Sequence, residues 1–186
     1  MGKTVFGCVV LLLTGIFVLA HLAACSGEEP PAYAVGDAGP AGGVIFLVEG
    51  SGGNYVYYEA APADCPGTAP WGGDTPAETD ATVGTGKANT AAMLAANPDE
   101  GTAARLCAGY RGGDKDDWFL PSNLELKAMK MNLHRAGKGN FSNAGYWSST
   151  GFRGRYANGW DFGAEGEQGY TQNRETALRV RAARSF

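Results

Sequence analysis

The chain has 186 residues, with 15 Lys/Arg against 19 Asp/Glu and a formal net charge of −4 at pH 7. An acidic balance argues against sequence-independent nucleic-acid binding, which depends on neutralising phosphates. The length suffices for one domain with a real core, and nothing after residue 25 is long and apolar enough to span a bilayer.

The first residues read as an address, not as part of a fold. Lys3 supplies a positive start, Val5 to Ala20 is apolar apart from Gly, Thr and Cys8, and small residues lead into Cys25, the layout of a secretory signal. Leu22-Ala23-Ala24-Cys25 looks like a bacterial lipobox, in which Cys25 is acylated and becomes the new N-terminus. The expected organisation is a signal peptide over 1–24, a lipidated Cys25 with a polar Ser/Gly/Glu/Pro tether over 25–32, and one domain over 33–186. Two cysteines, Cys65 and Cys107, remain in the exported chain. An even pair in an oxidising compartment reads as a disulfide, whereas two cysteines without a histidine cluster make a poor metal site.

The domain opens at Tyr33. Val44–Val48 reads as a buried strand, Ser51–Asn54 as a hairpin turn and Tyr55–Ala60 as its partner. Residues 62–80 form a long irregular loop containing Cys65 and Trp71, which the disulfide would staple. Helices are expected over Thr85–Ala96, stopped by Asn97-Pro98, over Gly101–Tyr110, and from Ser122 to about Arg135, with Gly137 as the stop. The third has the clearest entrance. Ser122 and Glu125 make an S-x-x-E capping box, and Pro121 disfavours helix at Leu120. Trp118, Phe119 and Leu120 should pin this corner to the core. Tyr146–Thr150, Tyr156–Phe162 and Ala177–Arg184 then read as strands between Gly-rich turns, the last alternating apolar residues with an arginine face. The order of strands, helices and strands predicts an α+β domain.

Strings across this domain resemble a known family. Val35-Gly36-Asp37 with Gly39-Pro40, Gly84-Thr85-Gly86-Lys87-Ala88-Asn89-Thr90, Asp116-Asp117-Trp118-Phe119-Leu120-Pro121-Ser122, Tyr146-Trp147-Ser148-Ser149 and Arg179 to Arg184 carry the resemblance in order. They are similar to the bacterial domain of unknown function at the C-terminus of the Lcl collagen-like adhesins, and to the major-paralogue lipoproteins. The resemblance implies a C-type-lectin-like fold with a small mixed or antiparallel sheet, two to three helices and long Gly-rich loops. It further implies an exported surface protein without enzyme activity. The Glu-Pro-Asn or Gln-Pro-Asp loop and Trp-Asn-Asp strand of calcium-dependent lectins are absent here.

Asp114, Asp116 and Asp117 sit in a Gly-rich turn that could hold Ca²⁺ or simply be solvated and cap local N–H groups; no other cofactor is expected. Gly84-Thr85-Gly86-Lys87 lacks the full phosphate-loop pattern and reads as helix-entry chemistry. His134 is the one histidine of the exported chain, and neither Ser148 nor Ser149 has an elbow sequence around it, so a hydrolytic triad is not expected. The expected binding surface comprises Arg153, Arg155, Tyr156, Tyr170 and Arg174, with Trp147 and Trp160 read as core; aromatic faces stack on sugars and arginine pairs with sulfates or carboxylates. The resulting expectation is a lipoprotein held to the bilayer by Cys25, binding an extracellular polysaccharide or a host or envelope protein. A structural or assembly module without a glycan ligand is the alternative. Ser26 is not the Asp that retains some lipoproteins at the inner membrane, which favours the outer membrane or cell surface over the periplasmic face of the inner membrane.

Overall fold

Two glycines set the first hairpin. In a computed structural model that describes residues 29–73 and 79–186, Val44–Ser51 (β1) and Asn54–Ala60 (β2) pair antiparallel around Gly52 and Gly53. Both glycines take positive φ, 62° and 84°, as a two-residue hairpin turn with the twist of its strands requires. The expected signal peptide, Cys25 and the first tether residues lie outside the described residues. The described part of the tether is not free: Tyr55 Oη donates to the Glu29 carbonyl and the Ala32 N–H donates to Tyr57 Oη.

Helices α1 (Gly86–Ala96), α2 (Ala103–Gly109) and α3 (Asn123–Ala128) fall where expected. The capping box at α3 is complete: Ser122 Oγ accepts from the Glu125 N–H, and Glu125 accepts from the Ser122 N–H at 2.7 Å. Glu125 also accepts from the Gly84 N–H at 2.8 Å, so one buried carboxylate ties the α1 entrance to the α3 entrance. Burial pushes its carboxyl up, against the pull of these N–H donors. Beyond Ala128 the helix continues as a π turn, Met129–Leu133, then a 3-10 turn, His134–Ala136, and stops at Gly137 with φ 68°. The helix sends Leu126, Met129 and Leu133 into the core and leaves Leu124 exposed.

The expected single sheet is two. β1, β2 and β6 (Ala183–Ser185) form one antiparallel sheet in the order β1-β2-β6, and β3 (Gly145–Gly151), β4 (Tyr156–Asp161) and β5 (Gly169–Asn173) form the other. The α+β class stands, with three α-helices and two small antiparallel sheets among the described residues. β5 is absent from the sequence reading. The long C-terminal strand is also different: only Ala183–Ser185 is regular strand, while Leu178 bridges Ala69 and Arg179 bridges Tyr146. Further along, the Cys65 N–H bonds to the Val180 carbonyl, the Ala61 N–H to the Ala182 carbonyl, and Phe119 pairs with Ala183. Residues 178–185 are therefore the seam between the sheets. The Trp118-Phe119-Leu120 corner alternates across it, Trp118 and Leu120 entering a cluster with Trp71 and Trp147, and Phe119 one with Phe46, Leu126 and Tyr146.

Distant loops cover most of the arginine face of the seam, leaving Arg179 half-exposed. Arg181 is fully buried and stacks on Phe141 at 4.0 Å. Its guanidinium donates to Asp64 Oδ1, to the carbonyls of Ala61 and Gly139, and to that of Asn140. Asp64 also accepts from Tyr146 Oη and the half-exposed Arg179. Arg184 donates to both carboxylate oxygens of Asp117 and to Glu59, which in turn accepts from the Gly43 and Ala41 N–H groups. Lys130 is buried as well, its ammonium donating to the carbonyls of Asp161, Ala164 and Gly166.

Arg181→Ala is expected to cost about 3–5 kcal/mol of unfolding free energy, because it strands a largely buried carboxylate and three carbonyls. Arg179→Ala, at a half-exposed ion pair, should cost less than about 1 kcal/mol. Urea denaturation checks the pair, and equal midpoints for the two variants would refute this account of the seam.

Candidate functional site

Gly72 and Gly73 line a cleft of about 430 Å³. Its walls come from separate segments: Gly72 and Gly73, the turn Asn97 to Thr102 between α1 and α2, Arg155 of the β3–β4 loop, and Asn173 to Glu175 after β5. Trp71 anchors the floor. It is buried, its indole N–H donates to the Ser148 carbonyl at 2.8 Å, and the Arg174 guanidinium lies over its ring at 4.5 Å. Arg174 is itself only 4% exposed and donates through Nε to the Tyr156 carbonyl at 3.2 Å. Backbone bonds from Trp71 N–H to Arg174 and from Arg174 N–H to Arg155 lock these walls together.

Two features give the cleft its chemistry. Asp99, Glu100 and Glu175 line it together with Arg155 and Arg174, so the lining carries both signs of charge, and Glu100 also pairs with Arg105 at 3.8 Å. Asn97 contributes an orphan donor: its Oδ1 accepts from the Asp99 N–H at 3.1 Å, while Nδ2 is buried with no hydrogen-bond partner. A Cβ at Gly73 would meet that Nδ2 at 2.6 Å, so only glycine lets the backbone pack this closely against the amide. A lining that mixes guanidinium donors with carboxylate acceptors suits a neutral, hydroxyl-rich ligand, each hydroxyl being both donor and acceptor.

The five binding residues expected from sequence are divided by the fold. Arg155 and Arg174 both line the cleft, whereas Tyr156, 49% exposed, stands outside the lining and its carbonyl accepts from Arg174 Nε. Arg153 is exposed on the β3–β4 loop outside the cleft lining. Tyr170 lies elsewhere, packed against Gly145 and Gly159 beside a groove between α3 and β4–β5 that Asn123, Lys127, Asn158 and Trp160 also line. Burial, with Asp161 nearby, pushes its phenol up to about 12. Trp147 and Trp160 are buried, as the core reading expects. Asn97, Asp99, Glu100, Thr102 and Glu175 are the cleft residues that sequence reasoning missed; Asn97-Pro98 was visible only as a helix stop.

The other candidates are placed as follows. The expected disulfide is not formed here: Cys65 and Cys107 are two buried thiols in side-chain hydrogen-bond contact. That bond, aided by Arg181, pulls the Cys65 thiol down, whereas complete burial pushes Cys107 up. His134 Nε2 is hydrogen-bonded to the Phe162 carbonyl at 2.8 Å, and Ser148 Oγ donates to the Asn158 carbonyl. Ser149 Oγ accepts from Asn89 at 3.1 Å. Of the three aspartates proposed for Ca²⁺, Asp117 is held by Arg184, and Asp114 and Asp116 are exposed. Among the described residues, no group of three or more His, Cys, Asp or Glu side chains converges as a metal site. No family model matches this chain, and no curated protein matches it.

The hydrogen bonds from Arg184 hold the Asp117 carboxyl below the usual carboxylate range. A folded-state value below the unfolded one stabilises the fold above about pH 4, and that contribution is lost as pH falls through the folded value. Asp117→Asn should therefore lower the unfolding temperature at neutral pH and leave a shallower acid limb. Thermal melts across the acid range measure this, and an unchanged limb would contradict it.

Proposed function

We propose that this chain is an exported lipoprotein, anchored through Cys25, whose domain is a non-enzymatic module of C-type-lectin-like fold that binds extracellular polysaccharide in the cleft beside Trp71. The observation that carries the ligand class is the lining itself. Arg155 and Arg174 share the lining with Asp99, Glu100 and Glu175, and beside them the buried Asn97 Nδ2 has no hydrogen-bond partner among the described residues. Sulfated chains, which an exposed arginine loop would favour, are disfavoured by the three carboxylates in the lining. Neutral sugars are the better match.

The protein carrying Cys25→Ser, applied to an array of neutral and sulfated polysaccharides with and without Ca²⁺, tests this. Neutral glycans should bind independently of Ca²⁺. Arg155→Ala or Asn97→Ala should weaken binding roughly ten-fold, the scale of one buried hydrogen bond, while Lys127→Ala in the α3 groove should not. A blank array, together with a single stoichiometric envelope protein in a pulldown, would move the domain to the structural or assembly alternative.

The same export reading assigns Cys65 and Cys107 to a disulfide, formed by exchange as an oxidoreductase disulfide is reduced to two thiols. Protein recovered from an oxidising compartment should then show no alkylatable thiol after denaturation. Reduction should lower its unfolding free energy by roughly 4 kcal/mol, the chain-entropy value for a loop of this length. Two free thiols in such protein would exclude the bond.

A further inference from the structure

The chain enters the domain along β2. Tyr55 Oη donates to the Glu29 carbonyl at 2.9 Å, and the Ala32 N–H donates to Tyr57 Oη at 2.8 Å. Tyr33 then stands edge-on to Tyr57 and Phe186, with centroids 5.2 and 5.8 Å apart, and Tyr57 stacks on Phe186 at 5.5 Å. A stretch whose composition reads as a loose spacer is thus fastened to the sheet from Glu29 onward. Four peptide steps separate Glu29 from Cys25. Whatever their conformation, they span at most about 14 Å.

A lipid on Cys25 would therefore hold this end of the domain close to the bilayer, without the reach that a free tether would provide. The surface at this end is aromatic. Phe186 is 37% exposed, and Tyr33, Tyr55 and Tyr57 are half-buried. Tyrosine combines an apolar ring with a polar hydroxyl, the combination favoured at headgroup depth. The cation over this face, Arg184, lies above the Phe186 ring at 4.8 Å and is already paired with Asp117 and Glu59. Anionic headgroups gain little from such a surface, so zwitterionic phospholipid is the fitting partner.

We infer that the face formed by Tyr33, Tyr55, Tyr57 and Phe186 is apposed to a zwitterionic bilayer interface, with the domain held down on it by its fastened tether. The inference rests on the reading of Cys25 as lipid-modified. The short span and the position of the aromatic rings supply the orientation.

Hydroxyl-radical footprinting by mass spectrometry tests it without altering the face. The full chain, isolated with its native modification and reconstituted at low density in phosphatidylcholine–phosphatidylethanolamine vesicles, is compared with Cys25→Ser protein in solution. Oxidation of the four rings should fall several-fold on vesicles, while Tyr156, exposed on the other sheet, should be unchanged. Flotation and intact mass are scored on the same samples. Full chain that floats with its four rings oxidised as in solution overturns the orientation alone. Full chain that stays soluble with an unmodified Cys25 overturns the lipid reading, and the orientation with it.

Discussion

The burial of Arg181 governs this fold. A guanidinium cannot shed its charge, and out of water each of its N–H groups must find an acceptor. Here Asp64 and the carbonyls of Ala61, Gly139 and Asn140 supply them, and Phe141 covers the plane. Those acceptors belong to two loops far apart in sequence. The requirement to satisfy one side chain therefore fixes the path of both. Arg184 repeats the logic nearby, gathering Glu59 and Asp117, while Glu59 in turn holds the turn at Ala41 and Gly43.

The cleft depends on this seam. The backbone that runs from Arg174 to Val180 bonds successively to Trp71, Ala69 and Cys65. The long loop after β2 is thereby laid against the second sheet, and Trp71 is brought beneath Arg174. With its floor fixed by main-chain bonds, the cleft can present Asn97, Arg155 and the carboxylates without first ordering a loop. Such preorganisation lowers the cost of binding.

Local signals in the sequence were legible where local chemistry decides the structure. Ser122 and Glu125, the Gly52-Gly53 turn and the Gly137 stop each act within a few residues, and each does what its residue types dictate. The alternation along Leu178 to Ala183 was also real. Its arginines were read as solvent-facing because periodicity reports which residues share a face, not what covers it. The cover comes from residues 61–64 and 139–141, which no window around Arg181 contains. β5 escaped notice because Gly-Tyr-Thr-Gln-Asn lacks the apolar alternation of a half-buried strand. The site was least legible of all. Its residues lie on segments that meet only through tertiary packing, so Arg155 and Arg174 could be named without their acidic neighbours.

The seam also has a consequence for when the fold can close. Residues 178–185 follow in the chain every partner they join: Ala60, Ala61, Cys65, Ala69, Phe119 and Tyr146. The first sheet therefore gains its third strand, and the seam between the two sheets its main-chain bonds, only when the last residues of the chain are in place. Closure is non-local and late, the kinetic regime in which loop entropy must be overcome before contacts reward it.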